Sequence, residues 1–132
     1  MKPRAIIFDM YGVVYGHDFN TELLEMIRGL KQTHKIGLLS NISRERLDQL
    51  LAEGGIVALF DAALASSETA YVKPHPELYE RICELLGVQP QEALYIDDSP
   101  DNVAGAIVAG MQAHEFTGNT ALREWLVQQG VA

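Results

Sequence analysis

The chain has 132 residues, 48% of them hydrophobic and 21% charged, which suits one ordinary globular domain with a single core. Eighteen acidic residues against ten basic ones give a net charge of −8, so phosphate backbones and anionic lipid would repel it, and nucleic acid or a membrane surface is a poor partner. No apolar run approaches bilayer length, and Cys83 stands alone, which excludes a disulfide framework and a zinc ligand set. The opening Met1-Lys2-Pro3-Arg4 runs into a strand-like segment with no apolar signal core behind it, and a reducing cytoplasm is the expected setting.

Short apolar runs alternate with amphipathic stretches. Residues 4–8 form a β-rich run ending at Asp9. Asn20 suits the cap of a helix with Leu23, Ile27 and Leu30 on one face. A second strand covers 35–39 and ends at Ser40. Ser43 suits the cap of a helix with Leu47, Leu50 and Leu51 facing inward, stopped by Gly54-Gly55. Residues 62–65 read as a weaker strand. Pro76 opens a helix with Leu78, Ile82, Leu85 and Leu86 on the core side, closed by Gly87. Residues 93–96 form a fourth strand ending at Asp97-Asp98, and Ser99-Pro100 starts a helix that ends at Gly110. Residues 112–116 make a last strand, and a closing helix carries Leu122, Trp125 and Leu126.

This alternation predicts an α/β fold: a five-stranded, mainly parallel sheet with helices on both faces, in a three-layer Rossmann-like sandwich spanning 1–132. Right-handed crossovers put every strand's C-terminal end on one edge, where ligands of such sheets bind. Asp9, Ser40 and Asn41, Lys73, and Asp97 and Asp98 would all converge there. Three converging carboxylates repel one another unless a cation joins them, and Mg²⁺ takes a few hard oxygen ligands together with phosphate oxygens. Lys73 adds a fixed charge, Ser40 a hydroxyl donor, and the helix starts near Ser43 and Ser99 add free N–H groups. Such a set can hold a phosphoryl group, and a carboxylate can attack it; Asp9, just before the tight Tyr11-Gly12 turn, is the candidate nucleophile.

The chain resembles the haloacid dehalogenase (HAD)-like hydrolase superfamily over nearly its whole length. Ile6-Ile7-Phe8-Asp9-Met10-Tyr11-Gly12-Val13-Val14 is similar to the first motif, Leu38-Leu39-Ser40-Asn41 to the second, Val72-Lys73-Pro74-His75-Pro76 to the third and Tyr95-Ile96-Asp97-Asp98-Ser99-Pro100-Asp101-Asn102-Val103 to the fourth. The resemblance implies Mg²⁺-dependent phosphate-ester hydrolysis. Asp9 would be the nucleophile, and Ser40, Asn41 and Lys73 would bind the phosphoryl group. Asp98 would bind the metal with Asp9, Asp97 and the Tyr11 position completing the set, supported by Asn102. The substrate would be a small phosphorylated molecule or a phosphorylated macromolecule.

Two features depart from the family pattern. Tyr11 stands where phosphatases of the family usually carry an acid/base aspartate. A tyrosine donates a proton but is a poor base at neutral pH, so low or unusual activity is expected. Tyrosine there is familiar from the metal-free 2-haloacid dehalogenases of the superfamily, but those replace the fourth-motif aspartates that this chain keeps. Second, only residues 15–19 separate the first motif from the next helix, so no cap domain is inserted there. A large substrate or a second copy of the chain would then cover the site, or selectivity would be low. A metal-binding regulatory module with little turnover is the alternative. A response-regulator receiver is a weaker one, because it places its acidic pair after the first strand. The four histidines show no metal spacing; His75 reads as a structural helix-start residue, Cys83 as a small core residue and Trp125 as packed on the sheet.

Overall fold

The computed structural model of the chain describes residues 2–131. Its strands are β1 (Ala5–Phe8), β2 (Lys35–Ser40), β3 (Ala62–Ala65), β4 (Ala93–Asp97) and β5 (Gln112–Glu115). Its α-helices are α1 (Thr21–Leu30), α2 (Arg44–Gly54), α3 (Pro76–Leu86), α4 (Pro100–Val108) and α5 (Asn119–Gln128). The strands make one sheet in the order β3-β2-β1-β4-β5, and every neighbouring pair is parallel. The expected architecture is therefore present, with a sheet that is parallel throughout. β1 lies at its centre and is buried along its whole length, which explains its unbroken apolar run.

Alternation along β1 divides the core in two. Ile6 and Phe8 pack with Leu23 and Ile27 of α1, Leu47 and Leu50 of α2, and Leu122 and Leu126 of α5. Ile7 faces the other way, against Leu78, Ile82 and Leu86 of α3 and Ala106 of α4. Each fully buried Leu or Ile contributes about 1.5–3 kcal/mol of hydrophobic stabilisation. The caps follow the chemistry of their residues. The side chains of Asn20, Ser43 and Ser99 accept from the N–H groups of Leu23, Arg46 and Asn102, and His75 Nδ1 accepts from Glu77 N at the start of α3. Gly55 and Gly87 end α2 and α3 in the left-handed conformation.

Leu85 does not join the core; it is 53% exposed. Tyr79 and Cys83 are buried, and at 100° per residue they pull the apolar stripe of α3 towards the side away from Leu85. Two strands run one residue further than expected. Ser40 still pairs with Ala65, and Asp97 with Glu115, so both side chains stand on sheet ladders. Residues 9–20 connect β1 directly to α1. Within this connection Tyr11, Tyr15 and Phe19 meet edge to face, with centroids 5.8 and 4.8 Å apart. No helix among the described residues is long and apolar enough to cross a membrane.

Candidate active site

Asp9 leaves β1 at the C-terminal edge of the sheet, its N–H still bonded to the Ile96 carbonyl at 3.0 Å. Its Oδ1 accepts from Met10 N at 2.9 Å and from Lys73 Nζ at 2.9 Å; Oδ2 is engaged by neither. The Lys73 ammonium is buried and reaches three further oxygens: Asp97 Oδ2 at 3.0 Å, the Leu39 carbonyl at 3.0 Å and the Tyr95 hydroxyl at 2.8 Å. One cation thus joins the ends of β1, β2 and β4. The chain places it there through Asn41, whose amide oxygen accepts from Lys73 N at 2.8 Å and whose amide nitrogen donates to Lys73 O at 3.2 Å. The Asn41 side chain, expected to bind substrate, is engaged at both ends with the backbone of this lysine.

Asp97 is fully buried and held on both oxygens. Oδ1 accepts from Ser99 N at 3.0 Å, and Oδ2 accepts from Lys73, from Asn102 Nδ2 at 3.2 Å and from the Tyr95 hydroxyl. Tyr95 was not among the expected site residues. Tyr95 and Asp97 are two residues apart on β4 and so share a face of the strand, a signal the sequence does carry. Asp98 is exposed and packs against the loop that follows β1. A Cβ built on Gly12 would lie 2.1 Å from Asp98 Oδ2 and would displace that carboxylate, and Gly12 has φ +87°, a backbone conformation that favours glycine.

Carboxylate oxygens of Asp9, Asp97 and Asp98 lie within 4.8 Å of one another. Lys73 balances one of the three charges, and the remaining two match a divalent cation bound through hard oxygen donors. Burial raises Asp9 to about 7, with the Asp97 charge adding to the rise and Lys73 opposing it. Burial also works on Asp97, but Lys73 and the donors from Tyr95 and Ser99 outweigh it and hold that carboxyl below its ordinary value. Asp98 is raised by partial burial and by Asp97 beside it. Ser40 is buried at the end of β2, and the N-terminus of α2 follows three residues later. Tyr11 is 38% exposed, and its hydroxyl accepts from Arg46 Nε at 3.1 Å on the first turns of α2. The phenol, placed in the metal set by the sequence reading, therefore leans on a guanidinium. The structure brings Asp9, Lys73, Asp97 and Asp98 into one cluster, with Ser40 on the neighbouring strand end.

Residues 20–110 match the family model of the haloacid dehalogenase-like hydrolases. The pyrophosphatase PpaX of Bacillus cereus (strain G9842) is 31% identical over 104 residues, covering 73% of this chain and 48% of that protein. The chain spans about half the length of the curated relatives it matches. A HAD-superfamily hydrolase from Ehrlichia chaffeensis superposes with a TM-score of 0.82 at 19% identity, covering 98% of both chains. A HAD-family enzyme from Bacteroides thetaiotaomicron, solved as a mutant in complex with magnesium and inorganic phosphate, aligns at 25% identity and a TM-score of 0.65, over 73% of this chain and 52% of that one. With a family model that matches more than half of its length, the chain belongs to the haloacid dehalogenase-like hydrolases.

Proposed function

We propose that this chain is an Mg²⁺-dependent phosphohydrolase that works through an aspartyl-phosphate on Asp9. The carrying observation is the buried Lys73 ammonium between Asp9 and Asp97, beside an exposed third carboxylate at Asp98. That arrangement leaves two negative charges for a divalent cation while fixing the nucleophile's orientation. The likeness to an enzyme crystallised with magnesium and phosphate supports the same assignment. Asp9, Asp97 and Asp98 would hold Mg²⁺, which would neutralise phosphoryl oxygens and stabilise the charge that develops on them.

Asp9 Oδ2, the oxygen that Lys73 and Met10 leave open, forms the bond to phosphorus as the bond to the leaving oxygen breaks. Ser40 donates its hydroxyl to a phosphoryl oxygen, with the N–H groups at the start of α2 nearby. Lys73 holds the Asp9 carboxylate in register and shields it from Asp97. The leaving oxygen takes a proton from Tyr11 or from water. Water then attacks phosphorus and breaks its bond to Asp9 Oδ2, its proton going back to Tyr11 or to solvent, which releases phosphate and returns Asp9 to its carboxylate form. A tyrosine side chain is a poor general base, so this second step is slow. The retained Asp97 and Asp98 weigh against a metal-free dehalogenase.

The short 9–20 connection leaves the sheet edge open, which suits a substrate, small or macromolecular, that supplies its own cover, or a second copy of the chain over the site. The single, buried Cys83 fits a reducing cytoplasm.

The test is phosphate release from p-nitrophenyl phosphate with Mg²⁺ and with EDTA, alongside Asp9→Asn. Turnover that needs both Mg²⁺ and Asp9 is expected. A folded protein that binds Mg²⁺ and never releases phosphate supports the second reading, a regulatory metal-binding module, which the tyrosine at position 11 and the open sheet edge favour.

A further inference from the structure

Two arginines stand in the first turn of α2, and they are used differently. Arg44 is spent: it pairs with Asp48 and Glu68 and donates to the Ala63 carbonyl. Arg46 gives its Nε–H to the Tyr11 hydroxyl at 3.1 Å. Its Nη1 makes only long contacts, to Gln49 Oε1 at 3.5 Å and Glu53 Oε1 at 3.9 Å. Among the described residues its Nη2 makes no hydrogen bond, and the side chain is 38% exposed. The sheet edge beside it is acidic, with Asp9, Asp97 and Asp98 clustered there, and Lys73 is buried and fully engaged. Arg46 is thus a partly exposed cation of α2 that is tied to the first-motif loop through Tyr11, two residues after Asp9. A guanidinium with a free edge matches two oxygens of a phosphate or carboxylate.

We propose that Arg46 is a specificity-determining residue that selects substrates whose leaving group carries its own anionic oxygens, as in a diphosphate. Tyr11 anchors it: by accepting Nε–H, the phenol fixes the plane of the guanidinium and turns the Nη2 edge outward, while its own proton stays free for the leaving oxygen. The inference rests on the phosphohydrolase reading of the site, but the property it asserts is recognition of a second anionic group.

Binding of non-hydrolysable ligands tests it without depending on turnover. The dissociation constants of methylenediphosphonate and methylphosphonate would be measured calorimetrically with Mg²⁺ for the wild type, Arg46→Ala, Arg46→Gln and Arg46→Lys. The wild type is expected to prefer the diphosphonate. Both neutral variants are expected to lose about tenfold more affinity for it than for methylphosphonate, the low end for a charged hydrogen bond because Arg46 is partly exposed. Lysine keeps the charge but not the fork and should recover part of the preference. Two variants guard against one that folds poorly. Equal losses for the two ligands, or a wild type without preference, overturn the proposal. Hydrolysis assays report separately: discrimination by Arg46 without any turnover would leave this inference standing and remove the hydrolase reading.

Discussion

The Asp98 carboxylate occupies the space that a side chain at position 12 would need. The position of a Cβ on Gly12 lies 2.1 Å from Asp98 Oδ2, and the Gly12 backbone has φ +87°. The first-motif loop and the fourth-motif carboxylate are therefore fitted to each other through a missing methyl group.

Gly12→Ala should accordingly damage both the metal site and the fold. The left-handed backbone costs an alanine about 1–3 kcal/mol, and the clash moves Asp98 away from Asp9 and Asp97. Mg²⁺ affinity should fall by about tenfold to 100-fold, the usual effect of disturbing a ligand's support. In an Asp98→Ala background the steric part disappears and only the backbone strain remains. Calorimetry on the two single variants and the double variant checks this; an alanine at 12 that leaves Mg²⁺ affinity intact contradicts it.

Lys73→Met keeps the volume of the side chain and removes its charge. Asp9 and Asp97 then face each other in a buried site without a counter-charge. Breaking a buried pair in this way costs about 3–5 kcal/mol. Thermal unfolding should show the drop, and Mg²⁺ should raise the Tm of the variant more than that of the wild type, because the ion replaces part of the missing charge. A Tm unchanged from wild type in EDTA would show that Lys73 is not holding the cluster together.

Asp9 sets a pH dependence for metal binding. Its folded-state value is raised to about 7 from an ordinary 3.8, chiefly by burial. The folded metal-free chain keeps a proton there that the unfolded chain has already lost. That protonation therefore favours folding below the unfolded value and ceases to do so as pH rises through about 7. A bound cation requires the carboxylate. Mg²⁺ affinity should rise with pH up to about 7 and level off above it, and Asp9→Asn should flatten the profile. A wild-type profile that is flat between pH 5.5 and 8.5 contradicts the assignment.

His114 gives a second pH effect, remote from the site. Its Nε2 is buried without a hydrogen-bond partner among the described residues, and the ring stacks on Trp125 with centroids 5.1 Å apart. Burial lowers its value below the ordinary 6.5, although Glu115 pulls the other way. The neutral ring is the one that suits the fold, so its contribution is complete above 6.5 and is lost as pH falls through the lower folded value. His114→Phe should retain the stack and make Tm between pH 7.5 and pH 5 less sensitive to acid. A Tm profile parallel to that of the wild type would exclude His114 as the source.

Much of this was legible in the sequence. The alternation of apolar runs and capped amphipathic stretches carries the layers, because parallel strands buried on both faces need continuous apolar runs and their helices need one apolar stripe. Asp9, Ser40, Lys73, Asp97 and Asp98 could be placed on one edge because parallel crossovers align strand ends. What was not legible depends on contacts across the sheet. Asn41 gripping the Lys73 backbone joins residues 32 positions apart, and Arg46 reaching Tyr11 joins residues 35 apart. Leu85 was misread because apolar residues at helical spacing do not by themselves reveal where the buried arc ends. Tyr95 had a readable signal, the two-residue spacing to Asp97, but its apolar neighbours on β4 made it look like core.

The central claim, that Asp9 carries the phosphoryl group, is tested most directly by acid-quenching the protein during turnover of acetyl phosphate with Mg²⁺ and mapping its peptides by mass spectrometry. The expected result is one phosphoryl group on the Asp9 peptide, absent in EDTA and absent in Asp9→Asn. Steady phosphate release with no label on that peptide, or release that persists in Asp9→Asn, would contradict it.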